Sequence, residues 1–453
     1  MAIIFIISMI FTLICICNAI ITNRISKAIL IFYLAYYGVC LGISSINPYG
    51  LDEVTDTVYL IQFTGLIMFT GGFLLCGEMK GNNILITTPK IQFNLDKYKT
   101  AVAFLLVLIL ILIYYLTKYY SIIETLGGAD ARMERFTQGG LLANAKEILF
   151  FSYVVYPVLI FCMVIIAVSV INTNRLNLIF YLSLIYVSLY TLIGSGREMM
   201  FVLLIFIILV KRISAIIKVE KDDLAKDNNQ NHNALKKRSK FILLSLLLVA
   251  PLFLMNYVTM TRRNEYDTTF ESLQSGLTVL IKQAIIGFTG PFRAFEFALT
   301  NNYVGNTGLF FGRATFAGLD DIMANLLACV GVRYDSANSI VGNLLQNNII
   351  TIGSDVNFNF AYTHLMIFYF DFGLLGVVLF SFLFGYFVRK CINYFQNNPN
   401  FFSLSIVMFL FYAMLFSVFK WTLQSTGATL FLIIAYYFSM RQSSYAGQRQ
   451  SLQ

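Results

Sequence analysis

The sequence predicts an all-α polytopic membrane protein, and three observations support this fold class. Of the 453 residues, 58% are apolar and only 12% are charged, which is about half the charged fraction of a soluble globular chain. The mean hydropathy is +0.74. Apolar runs of about 20 residues recur along the chain, and each is long enough to cross a bilayer as a helix. The composition therefore excludes a soluble enzyme, a disulfide scaffold, a disordered chain and a β-barrel porin.

The hydropathy pattern predicts about 11 transmembrane helices in a single integral membrane domain covering residues 1–453. The first 22 residues have no basic segment before their apolar run, so we expect a retained first span and not a cleaved signal peptide. The predicted spans are 2–21, 26–44, 58–77, 100–117, 147–169, 175–193, 197–216, 240–258, 362–387, 401–419 and 423–440.

The charges between these spans predict the orientation of the chain. When the connecting segments are assigned alternately to the two sides, one side has 20 Lys and Arg against 6 Asp and Glu, and the other has 12 against 17. Basic loops remain in the cytoplasm, so we expect a periplasmic N-terminus and a cytoplasmic C-terminus. Because the basic residues are scattered over short loops, nucleic acid is not an expected partner. The seven cysteines are odd in number and include no CxxC pair, which argues against a disulfide framework or a zinc site.

Two long connections differ from the rest. Residues 219–239 are polar, of mixed charge and rich in Asn, which is typical of a flexible cytoplasmic loop. Residues 259–361, between spans 8 and 9, are too apolar for a linker and predict a structured periplasmic loop. Within that loop, residues 276–288, 291–299 and 320–332 predict amphipathic helices that lie on or against the bundle.

A short motif at the outer start of the seventh span favours anion binding. In the run from Gly194 to Glu198, the glycines allow a tight turn and a close approach to a ligand. The predicted helix that follows begins near Gly196, and its first N–H groups are free to bind an anion. Arg197 adds a guanidinium fork that suits phosphate oxygens. The alternative is a helix-end arginine that reaches the interface and pairs with Glu198.

Arginines of the predicted periplasmic loop are further candidates. Basic residues are usually depleted from the periplasmic side of a membrane protein, so arginines in this loop are candidates for a specific role. For any one of them, a solvated charge on a loop helix is the simpler interpretation; as a group they predict a cationic pocket. They are Arg262, Arg263, Arg293, Arg313 and Arg333.

His364 is the candidate general base. It lies where the ninth span is expected to leave the outer surface, and its side chain has the unperturbed pKa that suits proton transfer near neutrality. Asp371 follows seven residues later, so on one continuous helix it would share a face with His364 about two turns deeper. A carboxylate at such depth needs a cavity or a partner.

Two windows of sequence resemble the Wzy-type polymerases of O-antigen and other oligosaccharide repeat units. They are the run Thr191–Glu198 at the outer end of a span and the run Tyr369–Gly376 after a large external loop. The hydropathy plan of most of the chain is also similar. The resemblance implies a GT-C-like glycosyltransferase of the bacterial inner membrane, with its active site facing the periplasm. It also implies undecaprenyl-diphosphate-linked oligosaccharides as donor and acceptor, and a chain-length regulator and a flippase as membrane partners.

The expected reaction transfers a growing glycan en bloc from its lipid diphosphate to the hydroxyl of an incoming repeat unit. The arginines and Gly196 are expected to hold the diphosphate without a metal or other cofactor, and His364 is expected to take the proton of the acceptor. Direct attack would invert the anomeric centre, whereas Glu198 or Asp371 as nucleophile would retain it. A polysaccharide ligase of the same superfamily and a flippase or transporter of lipid-linked sugars remain alternatives.

Overall fold

The structure of the protein is a computed structural model that is almost entirely helical. Within the described part of the chain, five helical segments are long and apolar enough to cross a membrane, as expected for an all-α membrane protein. The described residues are 25–77, 99–126, 141–142, 144–172, 178–194, 198–222, 270–346, 350–354, 356–358 and 361–450.

The helices are numbered here in chain order. They are α1 Ile25–Ser45, α2 Asp56–Leu75, α3 Lys99–Leu126, α4 Ala145–Phe150, α5 Tyr156–Asn172, α6 Leu178–Gly194, α7 Glu198–Asp222, α8 Phe270–Thr300, α9 Tyr303–Thr307, α10 Ala317–Cys329, α11 Ala337–Gln346, α12 His364–Phe372, α13 Leu374–Asn397, α14 Phe401–Phe416 and α15 Thr426–Gln450. The strands β1 Ile350–Thr351 and β2 Asn357–Phe358 pair in antiparallel fashion, with Ile350 opposite Phe358.

The chain divides into two compact units. One comprises Met1–Ile84 and Val279–Gln453, and the other comprises Leu85–Thr278. In the second unit, α6 packs against α3 and α5, and α7 packs against α5. A π-helical segment, Phe151–Val155, joins α4 to α5, and the Tyr186 hydroxyl donates a hydrogen bond of 2.9 Å to the Val155 carbonyl there. That bond satisfies a carbonyl where the regular helical ladder changes.

The first unit is organised around a close, parallel contact between α2 and α13. Phe69 lies beside Gly385, and the Gly77 carbonyl accepts a hydrogen bond of 3.2 Å from the Asn393 amide. The constant offset of these pairs means that the two helices run in the same direction. A Cβ at Gly72 would overlap the Phe382 carbonyl, so glycine is required for this approach.

The predicted single span over residues 362–387 is wrong. This stretch forms a helical hairpin, in which α12 ends at Phe372, Gly373 turns the chain with φ of 62°, and α13 begins at Leu374. The ring of His364 lies 6.4 Å from that of Phe384, and the Phe368 and Phe380 rings are 5.6 Å apart, so the two helices are antiparallel. Hydropathy alone missed the turn because both arms are equally apolar.

The hairpin changes the expected relation between His364 and Asp371. Because α12 and α13 run in opposite directions from Gly373, Asp371 lies next to the turn, whereas His364 lies at the level of Phe384, ten residues into α13 and about 15 Å from the turn at 1.5 Å per residue. Asp371 is fully buried and His364 is 3% exposed, so the expectation that His364 lies at the surface is wrong.

The expected amphipathic helices at 276–288 and 291–299 are parts of one helix, α8, which continues through Pro291. Phe292, Ala294 and Phe295 just beyond the proline are fully buried, and their packing stabilises the helix against the loss of one backbone hydrogen bond. The expected helix at 320–332 is α10, which begins three residues earlier.

Several of the predicted segments lie wholly or mostly outside the residues that the structure describes. The predicted spans 2–21 and 240–258 lie outside the described residues, and so does most of the predicted loop 219–239, of which residues 219–222 are the end of α7.

Candidate functional site

His364 joins two helices that end inside the first unit. Helix α14 ends at Phe416, and the carbonyl of the next residue, Ser417, accepts two hydrogen bonds from His364. One comes from its backbone N–H at 2.8 Å, and the other comes from its ring at Nδ1, 2.9 Å away. A carbonyl only accepts, so Nδ1 carries the proton and Nε2 is the basic nitrogen of the neutral ring.

Aromatic rings enclose the imidazole of His364. The Trp421 ring stacks against it at 6.1 Å, the Phe368 and Tyr37 rings meet it edge-on at 5.2 and 6.3 Å, and the side chain is 3% exposed. In this arrangement the imidazole holds two helix ends together and has no path to a bulky acceptor. Action as a general base requires Trp421 or another of these rings to move.

A buried amide continues the polar contacts beside His364. The Gln62 carbonyl oxygen accepts a hydrogen bond of 2.6 Å from the Tyr37 hydroxyl, and the Gln62 amide donates to the Thr363 hydroxyl at 3.3 Å. Gln62 is fully buried. This network connects α1, α2 and the start of α12, and the sequence analysis missed it because a lone glutamine in an apolar run has no distinctive pattern.

Asp371 anchors the segment that carries Arg313. The Asp371 carboxylate is fully buried and accepts three backbone hydrogen bonds, from Gly312 at 2.8 Å, Ala314 at 3.0 Å and Thr315 at 2.7 Å. Both oxygens are engaged, so a nucleophilic role for Asp371 would require these bonds to break. Its charge instead orders the backbone on both sides of Arg313.

Arg313 is a half-exposed cation held on two sides. Its Nε and Nη2 donate to the two oxygens of Asp320 at 3.3 Å each, and Nη2 also donates to the Asp335 carbonyl at 2.7 Å. The guanidinium lies 4.8 Å from the centre of the Tyr334 ring, and the side chain is 38% exposed. The Nη1 group has two N–H bonds for which the described residues provide no acceptor. Arg313 is thus held in one orientation, and its Nη1 group is available to donate to a ligand.

The carboxylate of Asp320 accepts hydrogen bonds from other groups besides Arg313. Burial alone would raise its pKa, but hydrogen bonds from the Tyr334 hydroxyl, the Ala337 N–H and Arg313 outweigh burial and lower the pKa. Burial and its bond to Asp320 raise the pKa of Tyr334. The carboxylate therefore stays ionised and the phenol stays protonated around neutral pH. We call Arg313, Asp320, Tyr334 and Asp335 the arginine clamp.

Arg333 is the second candidate arginine at this place. It is exposed, it directly precedes Tyr334 of the arginine clamp, and no described residue accepts a hydrogen bond from it. Arg333 is thus connected to the arginine clamp through its neighbour Tyr334, whose ring centre lies 4.8 Å from the Arg313 guanidinium. The expected cationic pocket of five loop arginines stays a prediction.

Arg293 is bound elsewhere. Its five N–H groups donate to Asp52 O at 2.6 Å, Ser44 Oγ, Ser44 O and Thr289 O at 3.1 Å each, and Asn47 Oδ1 at 2.9 Å. The side chain is 3% exposed, so no donor remains for a diphosphate. Arg293 fastens α8 to the C-terminal end of α1, where carbonyls lack helical partners. It shares no partner with Arg313 among the described residues.

The other predicted site residues divide into two groups. Glu198 begins α7 and is half-buried, in the unit that does not contain His364. The remaining predicted residues, Gly196, Arg197, Arg262 and Arg263, lie outside the described residues.

Trp421 links His364 to the arginine clamp, and the sequence analysis passed over it. Its Nε1–H donates a hydrogen bond of 2.7 Å to the Thr315 carbonyl, two residues from Arg313. The hydroxyls of Thr315 and Thr422 are buried and have no hydrogen-bond partner among the described residues. Unsatisfied hydroxyls at such a place suit water or a ligand rich in hydroxyl groups. The sequence did give one sign of its importance: Trp421 is the single tryptophan of the chain, and it lies in the short polar stretch between the last two predicted spans.

No group of three His, Cys, Asp or Glu side chains that could hold a metal ion occurs within the described part of the chain. Comparison of the sequence and structure with protein-family models, curated proteins and solved structures finds no match. The features that bear on function are therefore the arginine clamp, Arg333 and the link through Trp421 to His364.

Proposed function

We propose that the protein is a membrane glycosyltransferase that polymerises oligosaccharide repeat units carried on a polyprenyl diphosphate. The observation that carries this proposal is the arginine clamp: Arg313 is fixed in orientation, half-exposed and left with N–H donors that no described residue accepts, and the exposed Arg333 directly precedes Tyr334 of the clamp. Two such guanidiniums suit an anion with several oxygens, of which a diphosphate is the membrane-borne example.

The chemistry requires charge stabilisation at the leaving group. When the bond from sugar to diphosphate breaks, negative charge grows on the departing oxygen. A donor that is already oriented stabilises that charge without reorganising during the reaction. The Asp371 bonds to the backbone around Arg313, together with Asp320 and Tyr334, supply that orientation. In the proposed reaction Arg313 and Arg333 bind the diphosphate of the donor.

The acceptor hydroxyl must lose a proton, and His364 is the proposed base. Nε2 of the neutral ring is the atom that would take the proton. Trp421 shields this ring and also bonds to the segment of the arginine clamp, so binding of a ligand at Arg313 can be coupled to exposure of His364. Because Asp371 is engaged by three N–H groups, direct attack with inversion is the simpler course.

The test is turnover by purified protein in lipid nanodiscs with a defined polyprenyl-diphosphate oligosaccharide and no nucleotide. We expect products lengthened by whole repeat units. Arg333→Gln removes a charged group to which no described residue is hydrogen-bonded, and it is expected to lower turnover about tenfold, equivalent to the loss of one charge-assisted hydrogen bond of about 1.4 kcal/mol. Lys282→Gln is the matched control, because Lys282 is an exposed cation near Tyr49. No elongation by the native protein, or equal turnover by Arg333→Gln, would contradict the proposal.

A second candidate is transport of the same lipid-linked sugar. It is favoured by the junction of α12 and α14, which both end inside the unit at His364 and Ser417, since transporters often place their sites at broken helices. The two functions differ in product: a transporter moves the lipid-linked unit across a vesicle membrane without lengthening it. A ligase would transfer glycan to a different acceptor and also leave donor units unlengthened.

A further inference from the structure

Helix α10 presents a continuous apolar stripe that no described residue covers. The stripe begins just before the helix and recurs every three or four residues, which places its members on one face. Their exposed fractions are between 49% and 73%. The members are Phe316, Leu319, Met323, Leu326 and Val330.

The opposite face of α10 is fixed to the first unit by small and polar residues. A Cβ at Gly318 would overlap the Thr429 hydroxyl of α15, so the helix backbone lies directly on its neighbour. The acidic residues of α10 face the same way: Asp320 binds the arginine clamp, and Asp321 accepts from the Asn338 amide at 2.7 Å and from Thr426 at 3.1 Å. Both carboxylates of α10 are thus hydrogen-bonded to other segments of the first unit, and the members of the exposed stripe are all apolar.

The stripe is continuous with the exposed surface of α13. The Phe316 ring lies 5.9 Å from Phe380, and the Phe311 ring, which is 70% exposed, lies 5.7 Å from Phe372. Helix α13 is a candidate membrane span, and most of its exposed residues are large and apolar. They are Leu374, Leu375, Leu379, Leu383, Tyr386 and Phe387, at 38–66% exposure. Phe311 and Phe316 bridge the two apolar surfaces.

We propose that the apolar stripe of α10 lies in the hydrocarbon of the lipid bilayer, as an extension of the lipid-facing surface of α13. Contiguous exposed apolar residues of this kind mark protein or membrane contacts, and an amphipathic helix with its carboxylates hydrogen-bonded inward and its apolar face outward fits the boundary of a bilayer. Continuity with a membrane-spanning helix favours lipid over a second protein.

The placement has a consequence for access. Arg313 follows Phe311 and precedes Phe316, so the guanidinium stands at the edge of the proposed lipid-facing surface. A lipid whose tail lies along α10 can bring its head to Arg313 sideways from the bilayer, without passing through water. The lipid contact of α10 does not depend on the proposed glycosyl transfer, and its test is independent of turnover.

The test is spin labelling of the full chain, with its seven native cysteines replaced, in lipid nanodiscs. Labels at Met323→Cys and Leu326→Cys are compared with a control label at Asn306→Cys, an exposed position in α9. We expect oxygen, which concentrates in lipid, to relax the α10 labels several-fold more than a water-soluble nickel chelate does, with the opposite order at Asn306. A nickel preference at the α10 labels would place the stripe in water, and dipolar coupling between labels of two chains would assign it to a second copy; either result overturns the proposal.

If the cysteine-free chain does not fold, the same question is asked by fluorescence. Met323→Trp in the otherwise native chain adds a second tryptophan, and the native Trp421 is only 4% exposed. Lipids brominated on their acyl chains should quench the added fluorescence by more than half. Quenching no greater than that of the native protein would overturn the proposal.

Discussion

Asp371 should be a structural centre of the first unit, and Asp371→Asn tests this directly. The substitution keeps the shape of the side chain and removes its charge. Asparagine can still accept the two hydrogen bonds from Gly312 and Ala314 at one oxygen. Its amide group, however, replaces the oxygen that accepts from Thr315 at 2.7 Å, so two donors would face each other.

The magnitude follows from the three bonds. Two charge-assisted bonds become neutral bonds, at a loss of roughly 1 kcal/mol each, and the third is replaced by an unsatisfied buried N–H at a cost of roughly 1–3 kcal/mol. Burial of the neutral amide is easier than burial of the carboxylate, which offsets part of this. We therefore expect Asp371→Asn to lower the free energy of unfolding by about 2–4 kcal/mol, or the midpoint by roughly 5–15 °C.

The assay is thermal unfolding in detergent, followed with a dye that reacts with thiols as they become exposed. Cys40 is a suitable reporter because it is buried in the first unit, provided that the other six cysteines, among them the exposed Cys329 and the part-exposed Cys76 and Cys391, are replaced by serine. Asp335→Asn is the matched control, since Asp335 is exposed and only its backbone carbonyl binds Arg313. An Asp371→Asn midpoint equal to that of the control would refute the reasoning.

Three further predictions follow from the same unit. Asparagine at His364 can keep a donor near the Ser417 carbonyl but has no basic nitrogen and leaves a small cavity among the aromatic rings. His364→Asn should therefore lower the melting temperature by several degrees, remain folded at assay temperature and lose at least 100-fold in turnover; near-native turnover would remove the role of base. Gly72→Ala should destabilise by roughly 2 kcal/mol or more, because its Cβ would overlap a backbone carbonyl of α13, whereas Gly71→Ala, which meets nothing within 4 Å, should leave the melting temperature within a few degrees. The lowered pKa of Asp320 and the raised pKa of Tyr334 should hold the arginine clamp closed between about pH 4 and pH 10. Its stabilisation should fade as acid protonates the carboxylate or alkali ionises the phenol, seen as faster amide hydrogen exchange near residue 337; exchange protection independent of pH would contradict this.

Sequence reasoning located helices well where length and composition decide the outcome. The predicted spans 26–44 and 58–77 correspond to α1 and α2, because an apolar run of about 20 residues matches the thickness of a bilayer. The same reasoning joined α12 to α13, since hydropathy does not register a reversal of direction. Asp371 was the available sign of the turn, because a carboxylate within an apolar run needs hydrogen-bond partners. It lies two residues before Gly373, where the backbone of residues 312–315 supplies those partners.

The site was predictable in part. Excess arginine in a predicted acidic loop predicted a cationic pocket; Arg313 lies in the arginine clamp, and Arg333 directly precedes Tyr334 of that clamp. Arg293 has the same charge and lies in the same predicted loop, yet its partners at residues 44–52 are more than 240 positions away. Such pairings depend on tertiary packing, which no local pattern contains. Trp421 was missed for the same reason, because its contacts to His364 and Thr315 come from distant segments.

The central claim is that Arg313 and Arg333 bind a lipid diphosphate, and a binding titration tests it most directly. A sugar-free polyprenyl diphosphate is titrated into native protein and Arg313→Gln/Arg333→Gln in nanodiscs, with Lys282→Gln as control. The account predicts native binding that weakens as salt increases, a Kd at least tenfold higher for the double variant, and an unchanged Kd for the control. Equal affinity of the native protein and the double variant would contradict it.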